Sequence, residues 1–126
     1  MTNGEPGVLA AVDDLFFWTK IEAAARHAGV SVEQATSAAQ IQRSLNLAVP
    51  GLIIIDLNSV VCEPLETIRK IRSQPDLKTV FLVGFLSHVQ TELGRAALEA
   101  GCDRVMPRSR FSATLPDILR MRSCPG

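Results

Sequence analysis

Leu52-Ile53-Ile54-Ile55-Asp56 is the stretch that decides the fold. Four consecutive apolar residues, three of them β-branched, predict a strand buried on both faces, as in a parallel sheet covered by helices. Upstream, Val8-Leu-Ala-Ala-Val12 is a second short apolar run, and it too is followed by acids, Asp13 and Asp14. Between the two runs, residues 15–28 carry Phe17, Ile21, Ala24, Ala25 and Ala28 at helical spacing, with Gly29 at the stop position. Val30-Ser-Val-Glu-Gln34 predicts a weaker strand, and Ser37 with Gln40 predicts a capping box opening a second helix. Downstream, Pro64 suits the first turn of a third helix that carries Leu65, Ile68 and Ile71 and stops at Gln74-Pro75. Val80-Phe-Leu-Val83 predicts a fourth strand. Ser87 and Gln90 predict another capping box, opening a helix that Gly101 closes. Cys102 to Met106 predicts a fifth strand, and residues 113–121 a last helix with Pro116 in its first turn.

Strands alternating with helices predict an α/β fold: a doubly wound, five-stranded parallel sheet with helices on both faces and right-handed crossovers. The 126 residues suit a single domain, 1–126, with its core at about 8–120 and frayed termini. Hydrophobic residues make up 47% of the chain, enough for a sizeable core, yet no apolar run approaches the ~18 residues of a membrane span. The first residues show no basic-then-apolar export signal. Cys62, Cys102 and Cys124 are odd in number and widely spaced, against a disulfide framework or a zinc site. Reduced thiols in a cytoplasm are the expectation.

Thirteen basic residues balance thirteen acidic ones, so charge supplies no argument for nucleic acid or membrane as a partner. One local bias stands out. Arg104, Arg108, Arg110, Arg120 and Arg122 share the C-terminal stretch with Asp117 as its only acid. That pattern reads as a solvated face or as a face for an acidic partner.

In the flavodoxin-like strand order 2-1-3-4-5, the first and third strands are neighbours, and function gathers where the order reverses, beyond their carboxyl ends. Asp13, Asp14 and Asp56 are therefore expected at one place. Clustered carboxylates repel unless a cation sits among them, and hard oxygen ligands of this kind suit Mg²⁺. The plainer role of an Asp after a strand is to cap the next helix, and Asp14 is the candidate for it. Phe16, Phe17 and Trp18 are consecutive aromatics. Successive helical side chains turn by ~100°, so all three cannot face one core. At least one is expected at the surface, either as the loose edge of a broad buried face or as a contact for a partner or a second copy forming a homodimer. His88 lacks companions for a metal site, and His27 suits the C-terminal end of the first helix. No glycine-rich phosphate loop is present.

Val12-Asp13-Asp14, Ile54-Ile55-Asp56-Leu57 and Ala97-Leu98-Glu99-Ala100-Gly101 together resemble the receiver domain of bacterial response regulators, the CheY-like family, over residues 8–120. The resemblance implies that Asp56 accepts a phosphoryl group from a histidine kinase. It also implies that Asp13, Asp14, Asp56 and the backbone carbonyl of Asn58 serve Mg²⁺. The family lysine falls on Arg108, whose planar fork is not a compact ammonium. The family's hydroxyl position falls on Leu86 or Gly84, with Ser87 adjacent, and its aromatic switch residue falls on Val105. The resemblance therefore implies an atypical, stand-alone cytoplasmic receiver in a two-component phosphorelay. It would not be an enzyme, and its output would pass through contact with a histidine kinase or another signalling protein. The alternative is a pseudo-receiver, an interaction module that takes no phosphoryl group. A ligand binder at the same switch point is a third reading, since a fold does not dictate a function.

Overall fold

The structure is a computed structural model, described for residues 7–87 and 90–121. Strands β1 (Val8–Ala11), β2 (Val32–Ala35), β3 (Leu52–Asp56), β4 (Phe81–Leu86) and β5 (Arg104–Pro107) alternate with helices α1 (Leu15–Ala28), α2 (Ala38–Leu47), α3 (Pro64–Ser73), α4 (Thr91–Ala100) and α5 (Arg108–Arg120). All strand pairs are parallel, in the order β2-β1-β3-β4-β5. The isoleucine run stands at the centre of the sheet and is fully buried. Side chains of a strand point alternately to its two faces. Ile53 and Ile55 accordingly enter a core with Ile41, Ile68 and Leu82. Leu52 and Ile54 enter a second core with Ile21, Phe85 and Phe111.

Three expectations change. The helix after β4 is not capped by Ser87: Gln90 occupies the N-cap position of α4, without a side-chain capping bond. Ser87 is engaged elsewhere, as described below. The last helix begins at Arg108, directly after the extended Pro107, so Pro116 lies inside α5 rather than in its first turn. Phe111, Leu115, Ile118 and Leu119 are buried along one stripe of α5, and this burial outweighs the backbone bond that Pro116 removes. β4 runs on to Leu86, carried by pairing with β3 and β5 rather than by local propensity.

Gly29 ends α1 in the left-handed region, at φ 72°, with its N–H on the carbonyls of Ala25 and Arg26. Among the described residues, Cys62 and Cys102 are buried and unpaired. No described helix is long and apolar enough to cross a membrane. His88, Val89, Arg122 and Cys124 lie outside the described residues.

Candidate functional site

β1 and β3 are paired in register, Ala11 beside Ile55, so the residues that follow them emerge at the same end of the sheet. Asp56 is the last residue of β3 and is 2% exposed. Its Oδ1 accepts the Asn58 N–H at 2.9 Å. Its Oδ2 lies 3.4 Å from Arg108 Nη2, and the same nitrogen is 3.5 Å from Asp14 Oδ2. One guanidinium nitrogen thus stands between two carboxylates that are 42 residues apart in sequence. Asp13 is exposed. Burial pushes the Asp56 carboxyl above its ordinary pKa. The Asn58 N–H and Arg108 pull it down, while Asp13 and Asp14 push it up further.

Asp14 does two things at once. Oδ1 caps α1, accepting from the N–H groups of Phe16 and Phe17 at 3.0 and 3.3 Å, and Oδ2 faces Arg108. The capping role and the site role, alternatives from sequence, coexist because a carboxylate has two oxygens.

Arg108 is the first residue of α5, and Pro107 before it holds the extended backbone that aims it over the sheet end. Its guanidinium carbon lies 5.1 Å from the Phe17 ring centroid and 5.7 Å from that of Phe85. These rings and Phe111 form one stack, with centroids 4.6 Å apart for Phe17–Phe85 and for Phe85–Phe111. The stack supports the cation from below, an interaction strengthened where water is excluded. Arg108 Nε is buried and has no acceptor. The Phe17–Phe85–Phe111 platform was not read from the sequence. Its only local signal was the helical spacing of Phe17, because the other two rings come from distant elements.

Asn58 ties the site to the next loop. Its Oδ1 accepts the Ser87 N–H at 2.7 Å and the Ser87 hydroxyl at 3.0 Å, and its Nδ2 donates to Gln90 Oε1 at 3.0 Å. The loop after Asp56 lacks proline and glycine until Pro64 and is held by side chains instead. Ser59 Oγ accepts the Cys62 N–H at 3.3 Å, and the Thr67 hydroxyl donates to the Cys62 carbonyl at 2.6 Å. Val105 is half-buried and lies in register with Gly84. A β carbon added at Gly84 would meet Leu57 Cγ and Cδ1 at 3.0 Å, so a hydroxyl-bearing side chain here requires the Leu57 side chain to shift. Leu86 is buried at the end of β4.

Of the three aromatics, Phe17 is buried, Trp18 is half-buried against the core, and Phe16 is 71% exposed. Leu15 beside it is equally exposed, and Val60 and Val61 in the loop after β3 are exposed too.

Mg²⁺ is the ion the resemblance implies for this site. The arrangement as it stands does not fit it. Among the described residues, no three Asp, Glu, His or Cys side chains are grouped to hold a metal. Asp14 Oδ1 is engaged in the cap, and Arg108 already lies on the carboxylate oxygens that face each other.

No protein-family model matches the chain. Solved structures match along nearly its full length. A phosphorylated cyanobacterial phytochrome response regulator, RcpA, aligns over 98% of this chain and 97% of its own, with a TM-score of 0.84 at 16% identity. The chain has the fold of a response-regulator receiver domain. The receiver domain of the sensor histidine kinase PA1611 from Pseudomonas aeruginosa, with magnesium coordinated in its active-site cleft, aligns over 94% of this chain and 98% of its own (TM-score 0.82, 23% identity). The chemotaxis response regulator CheY4 of Vibrio cholerae aligns over 91% of this chain and 96% of its own (TM-score 0.81, 21% identity). Among curated proteins, the transcriptional activator protein ExaE of Pseudomonas putida is 29% identical over 93 residues. The match takes in 73% of this chain but spans only 42% of that relative's length.

Proposed function

We propose that the chain is a receiver module of a two-component phosphorelay, acting in the cytoplasm, in which Asp56 accepts a phosphoryl group from a histidine kinase. The observation that carries this reading is the pairing of a buried carboxylate at the end of β3 with a cation delivered from α5, 3.4 Å away. In the transfer, Asp56 Oδ2 forms the new bond to phosphorus as the phosphorus–nitrogen bond of a phosphohistidine breaks, and the released imidazole nitrogen takes a proton. Arg108 would offset the charge gathered on the phosphoryl oxygens. Those oxygens are acceptors of the kind that its buried Nε lacks. The module would signal by contact rather than by turnover, and exposed Leu15 and Phe16 beside the site are the surface we assign to a protein partner. Incubation with acetyl phosphate and Mg²⁺, acid quench and intact-mass measurement tests the reading. A gain of one phosphoryl group, absent in Asp56→Asn, is expected, and no gain in the unaltered protein sinks it.

A second reading, a pseudo-receiver that takes no phosphoryl group, draws on one observation. Leu57 fills the space over Gly84 that a switch hydroxyl would need, and Val105 stands at the aromatic position. The same mass measurement separates the two readings, because the pseudo-receiver stays unmodified while its partner contacts persist.

A further inference from the structure

The gap between Asp14 and Asp56 is already bridged by a cation that the chain supplies. We infer that Arg108 and a divalent ion are mutually exclusive occupants of this gap, and that Phe17 and Phe85 bias it toward the arginine. The inference rests on the reading of this sheet end as the phosphoacceptor site and adds to it how that site is regulated.

Arg108 Nη2 is within 3.4 and 3.5 Å of the two facing oxygens. A magnesium ion bound to both of them would need Mg–O distances of about 2.0–2.1 Å and its own water shell around it. It would then press directly on a nitrogen that shares a full positive charge. Like charges at that separation repel, most strongly on the side of the buried Asp56. The ion can enter only if the guanidinium leaves.

Two features oppose its leaving. The backbone of Arg108 is set by Pro107 and the start of α5. The guanidinium lies over two aromatic rings that are themselves packed on Phe111. Two favour departure: the contacts are long, and Nε is buried without an acceptor. The site is therefore biased toward the arginine but not locked there. A lysine at this position would not stack its planar face on the rings, since it has none. Phe17 and Phe85 are positioning residues, because they act on the carboxylates only through Arg108.

The test is Mg²⁺ titration of the unaltered protein, Arg108→Ala and Arg108→Lys, by calorimetry and by the fluorescence of Trp18. No phosphoryl donor is needed, so the result is independent of whether Asp56 can be phosphorylated. Arg108→Ala is expected to bind Mg²⁺ at least tenfold more tightly than the unaltered protein, with Arg108→Lys between them. Adding Asp14→Asn to Arg108→Ala should abolish the gain, which locates the ion in this gap. Phe17→Leu should tighten binding by a smaller factor. Should that variant fail to fold, the Arg108 pair still decides. Equal affinity in the unaltered protein and Arg108→Ala overturns the inference. So does failure of both to bind, or a gain that survives Asp14→Asn.

Discussion

Arg72, in the last turn of α3, and Arg108, in the first turn of α5, lie at opposite ends of the same sheet. Every nitrogen of the Arg72 guanidinium has an acceptor. Nε donates to the Gly101 carbonyl at 2.8 Å, and Nη1 to the carbonyls of Leu77, Lys78 and Val80 at 3.1, 3.1 and 2.8 Å. Nη2 pairs with Asp103 Oδ2 at 2.7 Å, and that oxygen also accepts the Leu82 N–H. Arg108 makes two long contacts through one nitrogen and leaves Nε buried without an acceptor. The Arg72 end is complete and knits α3, β4 and the turn before β5 into one unit. The Arg108 end leaves a buried donor unused. The difference separates an arginine that builds the fold from one that the fold presents.

Substitutions should break that contrast in a fixed order. Arg72→Ala should cost most, roughly 2–4 kcal/mol read from urea denaturation, because it takes the guanidinium donors from several carbonyls and leaves Asp103 with the Leu82 N–H alone. Arg72→Lys should recover little of this, since one ammonium cannot reach acceptors spread around a planar fork. A loss below about 1 kcal/mol would mean that the bonds at this end are not what holds it. Gly84→Thr comes next, at about 1–3 kcal/mol, because the added β carbon drives into Leu57. If Gly84→Thr is instead neutral, Leu57 is free to move and the switch hydroxyl could be restored by one substitution.

Arg108→Ala should change stability by no more than about 1 kcal/mol, since the arginine side chain is a third exposed and imperfectly paired. The smallest effect, and one of opposite sign, belongs to Asp56→Asn. Burial raises the carboxyl's pKa in the folded protein, so the native state binds the proton more tightly than the unfolded chain does. Stability therefore falls as pH rises from the ordinary carboxylate range through the raised value, and the full cost is present above it. Asn carries no charge and escapes the cost. Asp56→Asn should melt higher than the unaltered protein at neutral pH, and the two should converge in acid. Melting curves across pH check this, and convergence at neutral pH instead would mean that Arg108 and the Asn58 N–H fully offset the burial.

The sheet was legible because its signals are local or nearly so. An isoleucine run buried on both faces, acids after two strands and glycines at Gly29 and Gly101 each announce themselves within a few residues. The boundaries that failed did so where a tertiary contact overrode a local cue. Ser87 and Gln90 have capping-box spacing, but the Ser87 hydroxyl found Asn58, 29 residues away. Pro116 marks a helix start by its chemistry, yet Phe111 buried against Phe85 began α5 earlier.

At the site, strand order read from the sequence brought Asp13, Asp14 and Asp56 to one end of the sheet, while Arg108 entered only through the family resemblance, at the lysine position, with its direction left open. The tertiary structure alone decided which oxygens face each other, that Arg108 lies between them, and that three phenylalanines from α1, β4 and α5 carry it. A side chain's reach and its choice among competing partners depend on distances between segments far apart in the chain. Those distances exist only once both cores have closed.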